Sequence, residues 1–521
     1  MRIIRCLDPR LEISGMTSMC SYKSESMKQM PKIVVIGGGI SGLSCAHRLI
    51  ELRNKTGKNF DILLLEAGAR LGGMIETEKR DGFLLEKGPD AFLREKSWAL
   101  DLAKRVGLEN EIIETRGIER RSFIVRQGKL QALPKGFYLI GPSLLLPFLS
   151  TPIFSLSGKM RILSEAFVPR KMDDEDESIA AFVRRRFGNE CLERAGQPLL
   201  AGIYAGDPES LSLLATLPRF RMLEKKYGSV IRGLRRENGE VDEIKKASGP
   251  RYGLFVSFRN GMETFTEALS KKIPNSSIRL NTGVKKISKN SAKNHWKIET
   301  TAGQMIEADA VCLTLPARQT KELIKEDSPE LFSKLAELRY ESMAIIYLAY
   351  RTSELGPISQ GFGFVVPRTE KKAVLACTFV DQKFENRAPL GHRLFRIFVG
   401  GAFSGEFLQK DDKSLLETIQ KELQQLLEIQ TKPLFSEVQR HPSSMVQCGV
   451  GHLDWLAQVR ALAQEKSGLY LTGAGFGGVG IPDCVREAEI CAENIYKEIM
   501  SFPQSFSGNP DIKKSNSLDP R

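Results

Sequence analysis

Ile33-Val34-Val35-Ile36-Gly37-Gly38-Gly39-Ile40-Ser41-Gly42-Leu43-Ser44 decides the reading of the fold. Its apolar run predicts a buried strand that enters G-x-G-x-x-G directly, with the glycines at Gly37, Gly39 and Gly42. Leu43 to Leu52 reads as a helix. A second apolar run, Ile62-Leu63-Leu64-Leu65, completes a βαβ unit and ends in Glu66, 24 positions after the third glycine (66 − 42). Each residue type follows from the chemistry. Gly37 permits a tight turn, Gly39 lets backbone approach a pyrophosphate, and Gly42 lets the helix pack on the strand. Ile40 and Ser41 lead into that helix, whose free N–H groups and positive dipole end suit the pyrophosphate, and are expected to contact it. Glu66 is placed to accept hydrogen bonds from a ribose. The unit predicts a dinucleotide site.

Ala67-Gly68-Ala69-Arg70-Leu71-Gly72-Gly73 follows Glu66. Gly72 and Gly73 would bring a second stretch of backbone to the same phosphates, and Arg70 could add charge. This E-x-x-x-R-x-G-G arrangement resembles the flavin-binding N-terminus of the amine-oxidase-like FAD superfamily. The resemblance, not the spacing, selects FAD over NAD.

A second anchor lies near the C-terminus. Gly468 to Thr472 reads as a short strand that opens into Gly473-Ala474-Gly475-Phe476-Gly477-Gly478-Val479-Gly480-Ile481-Pro482-Asp483-Cys484, followed by a helix from Val485 to about Met500. Pro482 suits a first helical turn, and this loop would deliver N–H groups to the mouth of the first site. Arg279 to Ile287 reads as strand and turn, and Ala308 to Pro316 as a buried strand. The expected organisation is therefore discontinuous. Residues 31–97, 250–330 and 442–500 form a Rossmann-like FAD-binding domain. Residues 98–219 form a helical insertion, and 220–249 with 331–441 a mixed-sheet substrate domain. The fold class is α/β, or α+β multi-domain. An arm at 1–30 and a tail at 501–521 are polar and read as disordered. Within the insertion, Ser178 to Phe187 is a helix stopped by Gly188; the acids at 173–177 and Arg184-Arg185-Arg186 complement its macrodipole.

Composition narrows the partners. The chain has 521 residues and a net charge of +13, which suits phosphates, carboxylated substrates or a membrane surface. No motif interleaves bases and aromatics, so nucleic acid is not expected. Nine cysteines, an odd and scattered set without C-x-x-C spacing, favour a reducing compartment. Five histidines show no metal-ligand spacing either, and no metal is expected. Phe137 to Phe154 is very apolar, but its prolines forbid an unbroken spanning helix of ~20 residues. Flanked by Lys129, Lys135, Lys159 and Arg161, it reads as a monotopic patch dipping into one leaflet, or else a buried core loop.

Further motifs resemble the oxygen-dependent protoporphyrinogen oxidase family, including its coproporphyrinogen-oxidising branch. They are Gly478 to Cys484, Pro198 to Pro208 with Leu211-Ser212, Phe258-Arg259-Asn260-Gly261-Met262, Gly361 to Pro367, and Asn386-Arg387-Ala388-Pro389. The resemblance implies a three-step, six-electron oxidation of a porphyrinogen by FAD, with molecular oxygen as acceptor and hydrogen peroxide released. It implies FAD contacts at Ala67, Met74, Gly88, Pro89, Val284, Gly473, Gly475, Gly480, Ile481 and Pro482. It places Gly202, Ile203 and Gly206 along the substrate slot, with Phe364, Val365 and Phe384 as walls and Arg94 on a propionate. No acid–base dyad is apparent, so no catalytic side chain is assigned. A peripheral or monotopic position at a bacterial cytoplasmic membrane, a homodimer and product hand-off to a ferrochelatase are compatible with it. Another amine-oxidase-like enzyme (an amine oxidase or a carotenoid-type desaturase) and a non-catalytic porphyrin-binding flavoprotein remain alternatives. The choice between protoporphyrinogen IX and coproporphyrinogen III stays open.

Overall fold

Strands covered on both faces read as continuous apolar runs, and the first sheet is built from such runs. In the computed structural model, which describes residues 30–116, 121–244, 255–290 and 295–501, five strands lie in the order Ile278–Arg279, Asp61–Leu65, Lys32–Ile36, Ala310–Leu313, Leu469–Leu471. Every neighbouring pair is parallel. On one face Ile33, Val35, Ile62 and Leu64 pack against the first helix, Ile40–Thr56, and the last, Ile481–Ser501. On the other, Val34, Ile36, Leu63 and Leu65 pack with Trp296, Leu331 and Val459. The residues read as arm and tail lie outside the described residues, except Met30 and Ser501.

The second sheet has seven strands, ordered Phe435–Gln447, Arg339–Arg351, His392–Gly400, Val374–Phe379, Gly363–Val365, Ser122–Arg126, Lys129–Ala132. It is mixed, because Gly363–Val365 pairs in parallel with Ser122–Arg126 while the other neighbours are antiparallel. Its last two strands come from the stretch read as mostly helical. Conversely, Val230, Ile231 and Leu234, read with the substrate domain, pack into the core of the helical insertion with Phe182, Val183 and Phe220.

Within that insertion the helix Ile179–Phe187 starts where Ser178 Oγ accepts from the Ala181 N–H at 3.1 Å and stops at Gly188, φ +90°. Its charges do more than complement a dipole. Arg185 reaches Glu177 and Glu224 at 2.7 and 2.6 Å. Arg186 is fully buried, paired with Glu165 and donating to the Val168 and Gly228 carbonyls at 2.8 and 3.1 Å. Asp176 accepts from the N–H groups of Leu214 and Gly451. These runs are tethers, since a buried guanidinium needs partners for all its donors.

The apolar stretch 137–154 folds into a short hairpin and the helix Leu145–Ser150. Phe137, Phe148 and Phe154 cluster with ring centroids 5.6–6.4 Å apart. Phe148 is buried, whereas Leu144, Leu146 and Leu149 are exposed. Among the described residues no helix is long and apolar enough to cross a membrane.

A separate hairpin, Thr77–Arg80 with Phe83–Glu86, is fastened to the large sheet through Glu86, which is buried at its end. Its carboxyl accepts from the Met262 N–H at 2.9 Å and the Thr77 hydroxyl at 2.7 Å, and Tyr347 donates its hydroxyl to the Glu86 carbonyl at 2.8 Å. Burial pushes the Glu86 carboxyl up to about 7. A carboxyl raised in the folded state favours folding while protonated, and that contribution is lost as pH rises from about 4.5 through 7. Glu86→Gln is therefore expected to keep roughly 3 kcal/mol that the native chain loses over this window. Thermal unfolding of both proteins at pH 5.5 and 8.5 checks this; equal pH slopes would contradict it.

Candidate cofactor and substrate site

The turn after the first strand is set by crowding. Gly37 has φ +111°, and a Cβ there would meet Thr314 Oγ1 at 2.6 Å. A Cβ at Gly42 would overlap the Gly37 carbonyl oxygen. Thr314 Oγ1 lies within donating distance of the Ile36 and Gly37 carbonyls, at 2.9 and 3.0 Å. Thr314 escaped the sequence reading, although it ends the strand recognised at Ala308 to Pro316.

Gly39 is different. Its φ of −74° is open to any residue, and an added Cβ would meet only Gly73 Cα, at 3.9 Å. The protein's own packing does not require glycine here, so the free space fits a ligand. The first helix has no side-chain cap and no acid in its first turn. Its N–H groups, at Ile40, Ser41 and Gly42, suit a phosphate.

The second glycine pair lies against this turn. The Gly72 N–H donates to the Gly38 carbonyl at 2.8 Å, and a Cβ at Gly73 would come within 3.1 Å of Gly39 Cα. Glu66 first holds the turn: its two oxygens accept from the Gly38 and Gly68 N–H groups, both at 2.7 Å. Arg70 is committed too. It donates to the Leu71, Gly73 and Ile75 carbonyls and pairs with Glu76 at 2.6 Å. Its guanidinium thus clamps the glycine loop instead of standing free as a phosphate charge. Ala67 and Met74 are exposed beside this loop. Gly88 is pressed onto Met74, so Gly88-Pro89 reaches the same place. Val284 begins a strand just after Asn281 and Thr282 donate to Gly68 and Glu66 carbonyls.

The C-terminal loop closes the site. Gly473, Gly475, Gly477 and Gly478 all have positive φ, and a Cβ at Gly473 would lie 3.8 Å from Ser41 Oγ. Gly480 precedes the last helix, where Ile481, Pro482 and Asp483 are buried and Asp483 pairs with Lys96 at 2.6 Å. Thr472 Oγ1 is buried with no hydrogen-bond partner among the described residues. Cys484 is buried, and burial pushes its thiol up to about 12.

Next to Gly88 lies a charged group that the sequence reading missed. Asp90 pairs with Lys383 at 2.7 Å and Arg396 at 3.2 Å, and Arg396 also donates to the Gly88 carbonyl. Burial opposes the Asp90 charge, but Lys383 and Arg396 hold its carboxyl well below the usual range. Their separation in sequence, nearly 300 residues, left no signal.

The residues expected along a substrate slot divide. Gly202 faces the large sheet, with Val365 Cγ1 and Ala376 Cβ the nearest atoms to an added Cβ, and Ile203 is half-exposed. Gly206 serves close packing, because a side chain there would overlap Gln447. Phe364 turns into the core against Phe379, and Phe384 is fully buried against Lys383 and Arg387. Strand alternation separates the neighbours: Phe364 faces the core of the large sheet and Val365 packs toward the helical segment that carries Leu199 and Leu200. Arg94 is half-exposed and paired with Glu114. Arg259 likewise pairs with Glu385, at 3.5 Å.

The chain matches known proteins along almost its whole length. It is 33% identical over 472 residues to the coproporphyrinogen III oxidase of Bacillus subtilis (strain 168), covering 90% of this chain and 98% of that one. It is 30% identical over 485 residues to the chloroplastic protoporphyrinogen oxidase of Oryza sativa subsp. japonica, covering 89% and 87%. A crystal structure from Exiguobacterium sp. 255-15 superposes with TM-score 0.79 at 30% identity, over 91% of this chain and all of that one. The model of flavin-containing amine oxidoreductases matches residues 40–496. The chain belongs to the flavin-containing amine oxidoreductase family, and its cofactor is FAD.

Proposed function

We propose that the chain oxidises a porphyrinogen to a porphyrin with oxygen as the final acceptor. Full-length similarity to coproporphyrinogen III and protoporphyrinogen oxidases carries this reading. The open space at Gly39, between two glycine backbones and an uncapped helix, supports FAD there. Bound FAD supplies a two-electron hydride acceptor. The chain's own residues position and enclose. Glu66 and Arg70 fix the glycine loops, and Asp90, Lys383 and Arg396 fix Gly88-Pro89. Gln447 donates to the Tyr204 carbonyl at 3.1 Å, which holds the end of the helix bearing Gly202 and Ile203. Three rounds balance as one porphyrinogen plus three oxygens giving one porphyrin plus three hydrogen peroxides. Arg94 would take a substrate propionate by exchanging Glu114 for it.

Purified enzyme given protoporphyrinogen IX or coproporphyrinogen III should develop porphyrin fluorescence far above a boiled control, with about three peroxides per porphyrin, as six electrons require. The two rates side by side give the preference. Oxidation of amines or polyenes and of neither porphyrinogen would remove the reading.

Gly39→Val should fold but purify colourless, because its Cβ enters ligand space and not protein. Arg94→Ala should stay yellow and lose roughly ten- to hundredfold in kcat/KM, the value of about 1.5–3 kcal/mol for a charge-assisted contact. A yellow Gly39→Val protein, or an unaltered Arg94→Ala enzyme, would reassign those positions.

The exposed side chains of the helical insertion support peripheral membrane contact. Leu146 is 81% exposed, Leu156 77% and Phe167 84%. Met160, one turn after Leu156, is exposed too, and Lys159 ties this helix to the preceding one by donating to the Leu149 carbonyl at 2.7 Å. Leu146→Ser/Leu156→Ser/Phe167→Ser should abolish sedimentation with anionic vesicles and keep the flavin. Unchanged sedimentation would place the contact elsewhere.

A further inference from the structure

Three cysteines from distant parts of the sequence meet beneath the glycine loop. Cys45 lies on the first helix, one turn past Gly42. Cys312 lies on the strand Ala310–Leu313, and Cys491 on the last helix. The Cys312 Sγ is 3.7 Å from that of Cys45 and 3.5 Å from that of Cys491, and all three sulfurs lie within 4.8 Å of one another. All three are buried in the apolar core with Ile33, Ala488 and Ala492. Among the described residues the group contains no histidine or carboxylate.

Geometry and charge narrow what such a group could bind. A thiolate sulfur sits about 2.3 Å from a coordinated ion. Sulfurs at the two observed separations then subtend angles of roughly 100–107° at the ion, whereas a flat three-coordinate ion would spread them to about 4.0 Å. The Cys45–Cys312 and Cys312–Cys491 pairs thus fit a pyramidal ion better than a flat one. Tetrahedral zinc requires a fourth ligand. Charge separates the remaining ions. Three thiolates around a monovalent ion leave two negative charges, around a divalent ion one, and around a trivalent ion none. An uncompensated charge in an apolar core is strongly unfavourable.

We propose that Cys45, Cys312 and Cys491 form a binding site for a trivalent thiophilic element, for which arsenite is the probe. Arsenous acid and three thiols give a neutral tris-thiolate and three waters. Three As–O bonds break and three As–S bonds form. Each thiol proton leaves with a hydroxide, and no electron moves. The site ties the first helix, the central strand and the last helix together, so loading stiffens the core that supports the glycine loop.

The test uses holoenzyme incubated with sodium arsenite and then freed of excess by gel filtration. Elemental mass spectrometry should find one arsenic per chain, taken up slowly because the thiols are buried. X-ray absorption should show three sulfur neighbours. Thermal unfolding should shift upward. Cys312→Ala removes the sulfur that touches both others, and retention should fall at least about tenfold; Cys448→Ala, outside the group, should retain arsenic. If Cys312→Ala does not fold, the coordination of arsenic in the native chain still decides. Absence of retained arsenic, two sulfur neighbours instead of three, or retention by a folded Cys312→Ala protein would overturn the proposal.

Discussion

No side chain fits at Gly42. The first helix starts so close to the strand before it that a Cβ there would strike the Gly37 carbonyl oxygen. Thr314 fills the remaining space behind that turn, and Leu71 with Glu66 fills it in front, where a Cβ at Gly38 would come within 2.6 and 2.9 Å of them. This crowding fixes where the helix N-terminus points. It also fixes the Gly72-Gly73 loop, which bonds to the Gly38 carbonyl. Only at Gly39 does the crowding stop. The tight contacts thus leave one open place in this turn, lined by backbone N–H groups, and the cofactor site proposed there is a consequence of packing.

The rest of the molecule transmits that placement. Arg70 holds the second glycine loop by three carbonyls. Gly88, pressed on Met74, passes the geometry to Asp90, whose charge is locked by Arg396 from the large sheet and by Lys383 from the helical turn between two of its strands. Glu86 and Tyr347 make a second bolt beside it. Buried charge pairs add little net stability, but breaking one costs several kcal/mol, so the position of residues 74–90 on the large sheet is sharply defined. On the same sheet, the helix bearing Gly202 packs on Val365.

The sequence was legible where a local pattern had one physical meaning. The strands Lys32–Ile36, Asp61–Leu65 and Ala310–Leu313 announce themselves because both their faces are buried. Ser178 and Gly188 bound their helix because a cap and a left-handed stop are local devices. Legibility failed where meaning depends on a partner far along the chain. Ser122–Arg126 pairs with Gly363–Val365 in parallel, more than 200 residues away, and so was hidden inside a helical stretch. Phe364 and Val365 differ only in which face each takes, and one aromatic next to an aliphatic does not say which. Asp90, Arg396 and Lys383, and the three clustered cysteines, share no spacing at all. Arg186 looked like one of three helix-end bases until its burial against Glu165 became visible.

Flavin placement and substrate identity come together in one anaerobic experiment. Excess yellow enzyme is mixed under argon with a limiting amount of protoporphyrinogen IX or coproporphyrinogen III, and absorbance is followed for both flavin and porphyrin. A six-electron oxidation through a two-electron acceptor should bleach about three flavins for each porphyrin formed. Porphyrin that appears without bleaching, or colour that persists with both porphyrinogens and is lost on adding an amine, would contradict it.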